Sequence, residues 1–545
     1  MTVTQGIAPA QRRGGQRAVG SLAVVVIGLV VLAGLYGRIM GYDLRRDESM
    51  FVPPAALLGD HALYVDLFYN HVPYSAWLFR AMHRLLPFMG LLEVARLTVF
   101  LCWLLLLGGA AWIGWRLTRS ALVALVGPVS LVTADVLLGQ TGMAATNNLL
   151  PLPFAMLGLG LFAIVIAEGR PRFGLLVLAG VFLSVAAGLK ASAIAFVPAV
   201  AVGCFLIPRR IGLADRLRHV VLPVALGGLL GALPLIWYAV SQPELFFAHI
   251  LGYHSGPHVT YWQANAGAEP DLALSAPAKL QLAYSVWLVG ASLLALFLAL
   301  LARVLAHHRL ANARSRHAGE AATVVLASVL TAALLAFVPT PGFPQYYAAP
   351  LIGAPILIAL RCRAMPVERF AQFRPAIMIA IALMAVYGGP RLLLGLNDLR
   401  HPDRLTPARL QHGADLLRET LAKSGLDQAG PVATLSPLYP LSAGLDIYPE
   451  FSAGPFAYRV AAYTAPELRG NYAMAGEADL PALLDGVPPA AMLTGFDPVL
   501  EAPFEAYAQS HGFTLVEMPG ISDRYGSGRL WLAARETPAQ TGERE

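Results

Sequence analysis

Two carboxylates, Asp47 and Glu48, directly follow two guanidiniums, Arg45 and Arg46, just past the first apolar stretch of the chain. A positioned carboxylate can take a proton from a reacting hydroxyl. A guanidinium beside it can hold an anion through charge-assisted hydrogen bonds. The segment that follows, to Leu92, is rich in polar and aromatic side chains, among them Asp66, Asn70 and His71. Its later part, Tyr74 to Leu86, has apolar residues at helical spacing with Arg80, His83 and Arg84 between them. That pattern suits an amphipathic helix lying in a membrane interface.

The elements that must position these groups are apolar. The chain has 545 residues, of which 57% are hydrophobic and 13% charged, with a mean hydropathy of +0.60. A soluble domain carries roughly 25% charged residues, so the composition indicates an integral membrane protein. Apolar runs occur at 21–40, 95–117, 121–138, 147–167, 173–187, 191–207, 219–240, 283–304, 321–338, 346–361 and 375–392. They predict a polytopic α-helical membrane protein with about 11 transmembrane helices. Arg12, Arg13 and Arg17 precede the first run. It is long and lacks a small-residue cleavage site, so it is expected to remain as a span rather than a removed signal.

With residues 1–20 as a cytoplasmic tail, the inner connections hold Arg116 and Arg119, Arg170 and Arg172, and the clusters Arg209–Arg218, Arg303–Arg316 and Arg361–Arg374. Outer turns are mostly free of basic residues, the first outer loop, 41–94, being the exception. This is the positive-inside pattern, and it accounts for the net charge of +6 without nucleic acid. The membrane module is expected over 21–394, with a large outer loop at 241–281. An odd number of spans puts 395–545 outside as a periplasmic domain. In that tail, 406–423 and 503–511 read as helices, and 431–435, 490–494, 512–517 and 529–533 as strands. Alternating elements predict a small α/β domain. Cys102, Cys204 and Cys362 lie in or at the end of apolar runs, which implies no disulfide framework.

On this topology the outer face also collects Asp135, Gln140, Asn147 and Asn148, Lys190, His249, His254 and His258, and the turn ending Gln345-Tyr346-Tyr347. Ionisable groups near the hydrocarbon cost several kcal/mol, on the order of 2.5–3.5 at a helix centre. Their gathering on one side suggests a shared aqueous cavity opening outward.

The stretch Arg45 to Tyr74 (RRDESMFVPPAALLGDHALYVDLFYNHVPY) resembles the first outer loop of the GT-C glycosyltransferases. The closest set is family 39 and its relatives, the protein O-mannosyltransferases and the lipid A aminoarabinose transferases. The matching features are Asp47-Glu48, Tyr64-Val65-Asp66 and His71-Val72-Pro73. Gly188-Leu189-Lys190 resembles a Lys-bearing turn of that family, and Phe343 to Tyr347 resembles a late outer turn. That turn often carries His or Arg where this chain has Gln345. The resemblance covers residues 20–395 and, more loosely, the tail.

It implies an inverting transfer of one sugar from a polyprenyl-phosphate carrier to an envelope lipid, glycan or protein acceptor on the periplasmic face of the bacterial inner membrane. Asp47, with Glu48, would be catalytic. Lys190, Arg45, Arg46 and Arg84 would bind the donor phosphate, with Arg96 also near headgroup level. Asp66, His71, Asp135, Gln345 and Tyr346 would contact acceptor or sugar. No cofactor is implied, and a divalent metal is optional. The partners would be the lipid-linked donor, the acceptor and membrane lipids.

Other readings stand beside these. Glu48 could instead cap a helix at Ser49. Arg45 and Arg46 could be interface anchors, and Lys190 a snorkelling lysine. Asp135 could be a helix-end partner, and Asp66 and His71 loop scaffold. The three outer histidines lack metal-ligand spacing and read as part of a mobile interfacial loop. A transporter or lipid-linked-sugar flippase would need mid-span ionisable residues or repeat symmetry, which the sequence does not clearly show. An envelope polysaccharide polymerase or ligase would call for more outer arginines.

Overall fold

The computed structural model describes residues 10–267, 272–306 and 313–534, with side chains from Val25 onward. The expected tail before Ala10, the side chains of Arg12, Arg13 and Arg17, and Arg309 lie outside the described residues.

Every expected apolar run is helical over most of its length. The first helix, Ala10–Gly41, lies against the long helix Val367–Asp398. Small residues allow this crossing: a Cβ on Gly34 would lie 2.5 Å from the Leu392 carbonyl oxygen, and one on Gly395 would strike the Gly34 carbonyl. Close backbone approach through glycine is how helices pack where water gives no hydrophobic drive. Among the described residues, six helices are long and apolar enough to cross a membrane, or up to eight if each of two sharply bent pairs counts as one span. Ala121–Val132, Phe173–Leu189 and Ala191–Leu206 are apolar but shorter. An eleven-span count therefore requires these three to cross as well.

The basic connections meet at one end of the bundle. Arg116 pairs with Glu168 at 2.7 Å, and Arg363 donates to the carbonyls of Leu117 and Ala167. The first loop and the tail occupy the other end. The tail holds a four-stranded sheet of β1 (Val432–Thr434), β2 (Ala491–Thr494), β3 (Thr514–Ser522) and β4 (Ser527–Leu532), in the order β1-β2-β4-β3. β1 and β2 are parallel, with Ala433 opposite Met492, and the other pairs are antiparallel. Both faces of β1 and β2 are covered, which is why these strands read as continuous apolar runs. Helix Thr406–Ser424 packs on β3, and Met492, Phe504 and Trp531 form a core with Phe451 and Tyr458.

The large loop differs from its expectation. Rather than a mobile interfacial segment, residues 243–264 are helical, wound as a π-helix over Ala248–Gly252 and interrupted at Gly256. Burial of His249, Tyr253 and Trp262 under the tail explains the order.

Candidate active site

The first loop turns by 82° after the first helix. A buried ion pair holds that turn. Arg96, from helix Leu91–Thr118, donates from Nε and Nη2 to both oxygens of Glu48 at 3.0 and 2.9 Å. Its Nη1 binds the carbonyls of Ile39 and Tyr42, at the unsatisfied C-terminal end of the first helix. The Glu48 oxygens also accept from the amides of Arg45 and Ala145 at 3.0 and 2.8 Å. Both side chains are wholly buried. The Glu48 carboxylate is thus fully occupied, and Arg96, expected near the headgroups, lies in the core.

One residue earlier on the same short helix, Arg46–Ser49, Asp47 points the other way. The Gln140 side chain is in hydrogen-bonding reach of its carboxylate, and Arg459, Arg45, Lys190 and Tyr346 lie in electrostatic reach. Burial raises the Asp47 pKa above the usual carboxylate value, with Arg459, Gln140 and Arg45 opposing the shift. Such a carboxyl is better matched to proton abstraction near neutrality than an exposed one.

Lys190 stands at the break between helices Phe173–Leu189 and Ala191–Phe196. Its ammonium donates to Asn148 at 2.5 Å and lies 5.3 Å from the Tyr346 ring centroid. Burial lowers its pKa to about 8, against an opposing pull from Asp47. Beside the break, Gly188 admits a close approach of Tyr74, whose ring a Cβ there would strike. Tyr74 cannot swing away freely, because its hydroxyl donates to the Gly231 carbonyl at 2.7 Å.

Arg459 is the residue that no sequence motif indicated. It comes from helix Pro455–Ala461 of the tail and is 9% exposed. Its guanidinium lies over the rings of Phe456, Trp262 and Tyr261 at 4.6, 4.7 and 4.9 Å. Among the described residues its Nε has no hydrogen-bond partner. Cation–π contacts therefore hold a charged fork beside Asp47 with donor capacity unspent. The signal available in the sequence was only an arginine in an apolar, aromatic stretch, Phe456-Ala-Tyr-Arg-Val.

His71 stacks on Phe51 at 4.6 Å and stands 6.0 Å from His254, which bonds the Asn70 carbonyl at 2.7 Å. Burial, with repulsion from His254, Lys190 and His258, holds His71 well below its ordinary pKa. His258 falls to about 3 through burial, His254 and Arg459. These rings are neutral near pH 7, so the cations facing Asp47 are the lysine and the arginines. No group of three or more His, Cys, Asp or Glu that could hold a metal occurs among the described residues.

Of the other sequence candidates, Arg45 stays beside Asp47 and donates to the Tyr42 hydroxyl at 3.0 Å. Arg46 is engaged by the tail: it pairs with Asp497 at 3.0 Å, donates to the Phe496 carbonyl and lies over Tyr525. Asp135 is engaged by Arg391 and Tyr387 of the long helix. Asp66 is exposed and accepts from the Ala62 amide four residues back, shaping its own turn. Arg84 is exposed on helix Tyr74–Leu85, next to the bare Leu85 and near Phe88. Gln345 is half-buried beside Tyr346. The sequence grouped all of these by side of the membrane, and the structure brings together Asp47, Lys190, Arg45, His71 and Tyr346.

The fold is the GT-C membrane fold. The chain superposes on the crystal structure of ArnT from Cupriavidus metallidurans bound to undecaprenyl phosphate, with a TM-score of 0.58 and 16% identity over 95% of this chain and 99% of that one. The apo structure of the same protein gives a TM-score of 0.59 and 15% identity over 95% of this chain and all of the other. No family model matches, and no curated protein matches at the sequence level.

Proposed function

We propose that the protein is a glycosyltransferase that moves one sugar, with inversion, from a polyprenyl-phosphate carrier to an envelope acceptor on the periplasmic side of the inner membrane. The observation that carries this reading is the grouping of a half-buried, raised-pKa carboxylate with a lysine and an arginine from three separate parts of the chain. The ArnT structure with undecaprenyl phosphate supports a lipid-phosphate donor, because a fold of this kind holds that molecule.

In this reading Asp47 takes the proton of the acceptor hydroxyl as it attacks the anomeric carbon. The bond from that carbon to the phosphate oxygen breaks on the opposite face. The departing lipid phosphate is a permanent anion, stabilised by Lys190 and by the guanidinium of Arg459, whose Nε is unpartnered among the described residues. Arg45 adds positive charge nearby. Tyr346 and the neutral His71 line the space available to sugar or acceptor.

Purified protein with substitution Asp47→Asn should lose transfer by a factor of about 10²–10⁴ and still bind the polyprenyl phosphate. Mass spectrometry of envelope lipids and glycans, with and without the protein, should show one missing sugar. Full transfer by the Asn variant would remove Asp47 as the base, and an unchanged envelope would sink the transferase reading.

A further inference from the structure

A large cavity lies at the opposite end of the bundle from Asp47. Helix Ala191–Leu206 starts next to Lys190 and ends at this cavity. At helical rise its 16 residues span roughly 25 Å. The cavity has a volume of 1120 Å³, above the ~300–1,000 Å³ of ordinary small-molecule pockets.

Its lining is divided by chemistry. Arg209, Arg210, Arg303, Arg316 and Arg361 supply five guanidiniums against one carboxylate, Glu320. None of the five forms an ion pair among the described residues. Glu320 spends one oxygen on the Arg209 backbone amide at 3.2 Å. Away from the rim the walls are mostly aliphatic, with Val202 and Leu206 on one helix and Val324 and Ala327 on the facing one, which also contributes Thr323 and Thr331. Val202 and Leu206 are 58% and 59% exposed. The cavity therefore has a basic rim from several connections and an aliphatic flank open to the side of the bundle.

A small hydrated anion gains nothing from the aliphatic flank, and a neutral lipid gains nothing from the rim. A basic pocket between helices at the membrane surface matches a molecule with a phosphate at one end and acyl chains at the other. We propose that this cavity seats an anionic glycerophospholipid of the membrane, its phosphate among Arg210, Arg303 and Arg316 and its chains along Val202, Leu206 and Ala327. This site is separate from the sugar-transfer site and stands whether or not that reading holds.

Native mass spectrometry of the full chain in detergent tests it, with added dioleoylphosphatidylglycerol or dioleoylphosphatidylcholine as probe. One phosphatidylglycerol should be retained in strong preference to phosphatidylcholine. Arg210→Gln with Arg316→Gln should weaken that retention about thirtyfold, at the usual contribution of two basic residues near a membrane surface. Arg374→Gln, a basic residue outside the cavity, should leave it unchanged. Val202→Trp, at an exposed position that alters no charge, should also lower retention by filling the acyl flank. Equal retention of both lipids, full retention by either cavity variant, or displacement of the lipid by millimolar inorganic phosphate would overturn the proposal.

Discussion

Replacing Glu48 separates a structural carboxylate from a catalytic one. Its two oxygens accept four bonds, two from Arg96 and two from backbone amides, and neither side chain is exposed to solvent. Glu48→Ala leaves the Arg96 guanidinium buried without its counter-charge. Breaking one side of such a pair costs about 3–5 kcal/mol. Glu48→Gln keeps the shape and one acceptor but loses the charge, with an expected cost of about 1–3 kcal/mol. Against a total stability of roughly 5–15 kcal/mol, the alanine variant should purify poorly and melt well below the parent. Leucine at both 48 and 96 should cost less than the sum of the single changes, because no unpaired charge remains. It should still cost something, since Arg96 also ties down the end of the first helix. The assay is thermal unfolding in detergent, with transfer activity scaled to folded protein. A Glu48→Ala variant that melts like the parent would refute this role for the buried pair. A Glu48→Gln variant as stable as the parent but inert would refute it too, since the carboxylate would then act directly on substrate.

The pH profile carries a second expectation. Lys190 is cationic below about 8 and neutral above it, so kcat/KM for the donor should fall as pH rises through that value. Lys190→Arg should lose this alkaline limb. The acid limb should follow Asp47, whose pKa is raised, so activity should fall as pH drops through a value above that of an ordinary aspartate; a profile flat on both sides contradicts both assignments. Gly188→Ala should destabilise the protein by about 1–3 kcal/mol through overpacking against Tyr74, and thermal unfolding would show no shift if that contact were slack. A reporter fused after Leu399 should register in the periplasm, and a cytoplasmic signal there would contradict the proposed orientation.

Much of the architecture was legible because apolar length and basic loops act locally. A run of twenty apolar residues has few alternatives to a helix in a bilayer. The strands of the tail were legible for a related reason, since β1 and β2 are buried on both faces. The short helices 121–132, 173–189 and 191–206 were harder to assign as crossings, because their length alone does not reach across the hydrocarbon. The ordered helices within 243–264 were missed, since what fixes them is a tail more than a hundred residues away.

The chain's own chemistry determined that a membrane bundle would carry Asp47, Lys190, His71 and Tyr346 toward one end, because hydropathy and charge act segment by segment. Tertiary structure alone decided which of two adjacent acids lies beside Lys190 and Arg459. A helical step of about 100° per residue sends Asp47 toward Lys190 and turns Glu48 back onto Arg96. It also decided that Arg459 completes the group, since docking of the tail brings that side chain in from outside any motif. Side of the membrane is a property of segments, whereas contact within a site depends on packing between elements distant in sequence.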